Sequence, residues 1–151
     1  MNRKTAMKLF GLSGQLMLLR CGYADRHRNN SSCEQVLVDS LEVRVQDSLF
    51  SNVHYSRSQL LEALTQTQDS LVYYRLLALY GKTFFVSSDF DSILYYNRRV
   101  KEFSRNASQS SESLQSPRWN DVLSDVYNIE GNVWMQLNRP DSAIIDYKKA
   151  Y

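Results

Sequence analysis

The chain has 151 residues, 23% of them charged, and a formal net charge of +2. That balance gives no electrostatic case for nucleic acid or an acidic lipid surface as a partner. The length is one domain's worth of chain. Five Gly and two Pro argue against a sandwich or barrel, and abundant Leu, Ser, Tyr and Gln suit long helices. Cys21 and Cys33 are the only cysteines; two thiols with no histidine at ligand spacing do not make a zinc site.

The amino end, "MNRKTAMKLFGLSGQLMLLRCGYAD", has the layout of an export signal. Arg3, Lys4 and Lys8 form a basic start. Leu9 to Leu19 is an apolar run, too short to span a bilayer and long enough for a signal core. Two exits are readable. Leu18-Leu19-Arg20-Cys21 resembles a bacterial lipobox, which implies lipidation of Cys21, although Arg20 departs from the small residue such a box carries. Gly22-Tyr23-Ala24 offers small residues to a signal peptidase instead. A poorly ordered or helical tail of a cytoplasmic protein is the bland alternative. Residues 1–24 are therefore expected to be a signal, with export to the periplasm or a membrane-anchored lipoprotein. Residues 25–33, "DRHRNNSSC", read as a polar tether.

Residues 34–68 are expected to supply two N-terminal helices, read in "CEQVLVDSLEVRVQDSLF" and "SRSQLLEALTQT", that cover the open amino-terminal face of the helices that follow. Beyond them the chain repeats itself. Residues 77–100, "LALYGKTFFVSSDFDSILYYNRRV", align without a gap on residues 127–150, "YNIEGNVWMQLNRPDSAIIDYKKA". Gly81 falls on Gly131, Phe84 on Trp134, and Asp91-Ser92 on Asp141-Ser142. Each stretch reads as a helix, a polar break and a second helix. Asp91 and Asp141 are placed as N-caps, and Pro140 stops the preceding helix. The second helices are expected to bury Leu94, Tyr95, Val100 and Phe103 in one copy, and Ile144 and Tyr147 in the other. A mid-helix glycine costs about 1 kcal/mol against Ala, so Gly81 and Gly131 call for a close helix crossing, with the small Ala143 opposite.

The second stretch resembles a tetratricopeptide repeat through Tyr127, Glu130-Gly131, Trp134, Ala143, Tyr147 and Ala150. The first carries Leu77, Gly81, Phe84, Ile93 and Val100 at the matching places, with Ile93 and Asn97 departing from the family's small and aromatic residues. The resemblance implies an all-α, α-solenoid fold of stacked antiparallel helix pairs. Its units are 69–104 and 118–151. The two glycines stand 50 positions apart against a family period of about 34. The Ser-rich residues 105–117 are read as an inserted surface loop. The second helix pair runs to Tyr151 with an apparently uncapped edge of Val133, Trp134, Tyr147 and Ala150. Three expectations follow: a longer array, self-association through that edge, or a complete but marginally stable chain.

No catalytic constellation is readable. His27 lies in the tether, His54 stands alone, and phosphate-loop, metalloprotease and nucleophile-elbow motifs are missing from the sequence. No cofactor and no metal are expected. The resemblance implies a non-catalytic module for a protein or peptide ligand, held by polar residues of the first helices; the candidates are Tyr73, Arg75, Asn128, Asn132 and Met135. The alternatives are the sensor segment of a signalling regulator, or an envelope lipoprotein scaffold. Asp-Ser followed by an apolar residue recurs at Asp39, Asp47, Asp69, Asp91 and Asp141. The last three read as helix starts, and the pattern also resembles an O-glycosylation acceptor of exported bacterial proteins.

Overall fold

The computed structural model describes residues 29–48, 51–107 and 117–151, with the side chains of 29–35, 37 and 107 left aside. Cys21 and the signal-like segment lie outside the described residues, as does most of the expected loop. The chain divides into two compact units at Leu37–Val38. The described part of the first is the start of one helix; everything below concerns the second, Val38–Tyr151.

The described secondary structure is helical throughout, and the chain is all-α. The elements are α1 (Asn29–Ser48), α2 (Val53–Gln66), α3 (Ser70–Lys82), a 3-10 turn (Thr83–Ser87), α4 (Phe90–Ala107), α5 (Pro117–Gln136) and α6 (Pro140–Ala150). Helix α1 begins inside the expected tether, because nothing in "NNSSC" breaks a helix. Helices α4 and α5 likewise take residues from both ends of the expected 105–117 loop.

Capping explains most of the boundaries. Asn52 accepts from the Tyr55 amide at 3.2 Å, and Asp69 accepts from the Leu71 and Val72 amides at 2.8 and 3.1 Å. Each satisfies N–H groups that a helix start leaves without a partner. The expected caps Asp91 and Asp141 are corrected: both sit in the first turn of their helices. Asp89 caps α4, accepting from the Ser92 amide at 3.1 Å and the Ser92 hydroxyl at 2.7 Å. Those bonds hold its carboxyl below the ordinary value of 3.8. Pro140 opens α6 with no side-chain cap at Arg139; a first-turn proline has no amide left to satisfy.

The two helix hairpins turn identically. Ser88 and Asn138 both have left-handed backbone, with φ of 54° and 57°. The Asp89 amide donates to the Phe84 carbonyl and the Ser88 amide to that of Phe85, at 3.2 and 3.1 Å. Fifty positions later the Arg139 amide donates to Trp134 and the Asn138 amide to Met135, at 2.8 and 3.1 Å. This paired closure satisfies the last carbonyls of a helix and reverses the chain.

Each hairpin closes over its glycine. A Cβ on Gly81 would stand 2.9 Å from Tyr96 Cβ, and one on Gly131 would stand 2.6 Å from Tyr147 Cδ1. At matching places on the second helices, Ile93 and Ala143 are fully buried. Helix α5 then rests on both α3 and α4. There Leu77, Val100, Trp119 and Val126 form a buried cluster, with Tyr74 and Phe103 packed against it. Tyr74 stacks on Phe103 at 4.0 Å, and Phe103 meets Trp119 edge-on at 5.6 Å.

The burial of the second helices differs from expectation. Tyr95 and Ile144 are 54% and 49% exposed. The stripes that face inward are Ile93, Asn97 and Val100 in α4 and Ala143 and Asp146 in α6; Tyr95 lies two positions from both Ile93 and Asn97, and Ile144 one position from Ala143. Val133 is not on an outward edge but fully buried. Trp134 is folded between its own two helices, its indole N–H donating to Asp146 at 2.9 Å.

Candidate binding cleft

Helix periodicity places three stripes around one cavity of about 490 Å³. Helix α3 contributes Arg75, Ala78, Leu79 and Lys82; α5 contributes Arg118, Asp121, Val122, Asp125, Val126 and Ile129. These recur at three- and four-residue steps, the spacing of one helix face. Helix α1 supplies Val38, Asp39, Glu42, Val43 and Gln46. The aliphatic residues make an apolar floor and the ionic ones a charged rim.

The rim is tied across the helices. Arg75 Nη2 lies 3.1 Å from Asp39 and 3.3 Å from Glu42. Arg118 reaches the other oxygen of Asp39 at 3.1 Å, and Lys82 reaches Asp125 at 3.3 Å. The Arg75 side chain is only 7% exposed, whereas Asp39 and Glu42 keep 41% and 37% of theirs in solvent. Exposed pairs of this kind contribute about 0–1 kcal/mol each, so they set geometry and charge pattern more than stability. The buried guanidinium is different: removing both carboxylates would take two compensating charges from a buried cation.

Of the groove residues expected from the sequence, only Arg75 lines this cleft. Tyr73 is two positions away, about 200° around the helix, and packs against the buried cluster beside Tyr74. Asn128, Asn132 and Met135 are exposed on α5 outside the cleft lining. Asn132 accepts the Tyr147 hydroxyl at 2.7 Å and so supports the α5–α6 crossing. The expected repeat-packing residues fall at helix contacts. Leu77, Gly81, Ile93, Val100, Gly131 and Ala143 are buried, and Phe84, Tyr127, Trp134, Tyr147 and Ala150 are half-buried. Sequence reasoning missed Lys82, Arg118, Asp121 and Asp125. The signal for the last three is the three-and-four spacing from 118 to 129.

A second polar cluster joins α4, α5 and α6. Glu130, with 4% of its side chain exposed, pairs with Lys101 Nζ at 2.5 Å. Asp146 accepts from Trp134 and, at 3.0 Å, from Lys149. The ammonium groups of Lys101 and Lys149 lie 5.4 and 5.2 Å from the Tyr127 ring centre, within cation–π range. Burial pushes Glu130 above its ordinary value of 4.5, with Lys101 acting against the shift. The Asp146 hydrogen bond raises Lys149. Both carboxylates already hold donors, so the cluster fastens three helices and presents no free base to a substrate. Asn97 belongs to the same interface: its amide donates to the Val126 carbonyl at 3.2 Å, while its buried Oδ1 has no partner among the described residues.

Among the described residues no group of three or more His, Cys, Asp or Glu side chains is placed to hold a metal. No described helix is long and apolar enough to cross a membrane. Comparison of the chain with family models, with curated proteins and with solved structures finds no match in any of the three.

Proposed function

We propose that this chain is a non-catalytic helical-repeat module, similar to tetratricopeptide proteins, that binds a peptide segment of a partner protein along the face shared by α3 and α5. The observation that carries this reading is the cleft of about 490 Å³, apolar at its floor and ionic at its rim, between α1 and the first helices of two successive hairpins. Its size falls in the range of ligand sites, and a rim of alternating charge suits a peptide's own side chains. The hairpins themselves support the repeat reading, since their turns coincide at an offset of fifty positions. Export through the signal-like amino end belongs to the same proposal; N-terminal sequencing and intact mass of the native protein test it, together with lipidation at Cys21.

Peptides selected from a displayed library on the full chain test the binding function. The rim substitutions Lys82→Glu and Arg118→Glu should weaken such binders by tenfold or more with unchanged helical circular dichroism. Binders indifferent to both substitutions would place recognition elsewhere and contradict the reading.

A further inference from the structure

The α3–α5 face already carries α1, which forms one wall of the cleft. From Val38 onward α1 lies beside α3 and α5, yet it makes no backbone approach like that between α5 and α6. It is held through side chains. Val38, Leu41 and Val45 are 2%, 4% and 2% exposed, a stripe at three- and four-residue steps. On the adjoining stripe Asp39 spans Arg75 of α3 and Arg118 of α5, and Glu42 adds a second carboxylate to Arg75. This is how an amphipathic helical ligand seats on a helix pair: aliphatic anchors inward and carboxylates on the neighbouring cations.

We infer that α1 is a built-in ligand of the α3–α5 face, and that the natural partner is an acidic amphipathic helix of the same pattern, which displaces α1 to bind. The pattern is an aliphatic residue at i, i+3 and i+7 with carboxylates at i+1 and i+4, as in Val38, Asp39, Leu41, Glu42 and Val45. Charge complementarity selects it. Arg75 and Arg118 on this face are both met by α1's carboxylates, and the buried Arg75 side chain takes two of them. A basic helix would leave that guanidinium facing like charge. The inference rests on the binding function proposed above and adds the partner's chemistry and a competitor within the chain.

The test uses the full chain and a fluorescein-labelled synthetic peptide of residues 36–48, followed by fluorescence anisotropy. Asp39→Lys with Glu42→Lys in the chain sets α1 against Arg75 and Arg118 and frees the face. The peptide should then bind at least tenfold more tightly than to the wild-type chain, and a further Arg118→Glu should reverse the gain. Should the double lysine variant lose its helical signal, Asp39→Asn with Glu42→Gln gives a milder release, with an expected gain of threefold or more. Equal peptide affinity for wild-type and released chains would overturn the inference. If library-selected peptides still bound the α3–α5 face equally in both chains, α1 alone would be removed as occupant. If no peptide bound either chain, the cleft itself would fall as a binding site and the inference with it.

Discussion

The hairpin α3–α4 and the hairpin α5–α6 share a turn and differ in what fills them. Both reverse through a left-handed residue and the same pair of amide–carbonyl bonds. Between α3 and α4 the filling is aromatic: Tyr80 meets Phe84 and Tyr96 edge-on at 5.3 and 5.1 Å, and Arg57 lies 4.0 Å over Phe84. Arg57 also donates to the Thr83 hydroxyl and carbonyl and to Ser87, which fixes the 3-10 turn. Between α5 and α6 the filling is polar, with Trp134 bonded to Asp146 and Glu130 bonded outward to Lys101. Helix length differs too. Helix α5 starts 14 residues ahead of its glycine and α3 only 11, and the longer start carries Trp119 into the cluster. The chain reversal is thus specified by a few backbone-determining positions, while the contents of each hairpin are free to vary.

The largest effect separating the hairpins belongs to Trp119. It is 1% exposed and its indole donates to Ser104 at 3.1 Å. Trp119→Ala should cost about 3–5 kcal/mol, measured by urea unfolding, and should loosen the α5 start that α3 lacks. A loss below about 1 kcal/mol would mean that this extra length is ornamental.

The glycines come next. Gly81→Ala meets Tyr96 Cβ, an atom that moves only with the α4 backbone. Gly131→Ala overlaps the Tyr147 ring more deeply, but the ring can swing away at the loss of its bond to Asn132. Overpacking costs about 1–3 kcal/mol, offset by about 1 kcal/mol of helix propensity. Gly81→Ala should therefore be the more damaging; the reverse order would mean that α4 gives way more readily than one side chain.

The turn residues should respond less. Serine in left-handed backbone is strained, and asparagine tolerates it better. Ser88→Gly should stabilise by about 0.5–1 kcal/mol, and Asn138→Gly should be close to neutral. Equal gains in thermal unfolding would show that the two turns are under the same strain.

The smallest effect is a slope with pH. Burial raises Glu130 above 4.5, so the folded chain holds this proton more tightly than the unfolded chain. Its contribution is fully present below 4.5 and is lost as pH rises through the raised folded value. Wild-type stability relative to Glu130→Gln should therefore fall from pH 4 towards neutrality. A difference that rises with pH would show that the Lys101 pair outweighs burial.

Much of the helical framework was legible because local rules govern it. Gly81 and Gly131, the breaks at 88 and 138, and the Asp69 cap all follow from short-range backbone chemistry. Asp89 was harder to read: "DFD" offers two carboxylates two positions apart, and the choice depends on where the left-handed turn at Ser88 ends the preceding helix. Tyr95 and Ile144 were misplaced because a step of two residues turns about 200° on a helix and a step of one about 100°. The cleft was the least legible feature. Asp39 and Arg75 lie 36 positions apart, and no local pattern pairs them.

Hydrogen–deuterium exchange on the full chain, with and without a library-selected peptide, tests the central claim most directly. The account predicts slowed exchange in α3 from Arg75 to Lys82 and in α5 from Arg118 to Ile129, with the outer surface of α6 unchanged. Protection confined to Ile144 and Ile145 on α6, with none in α3 and α5, would contradict it.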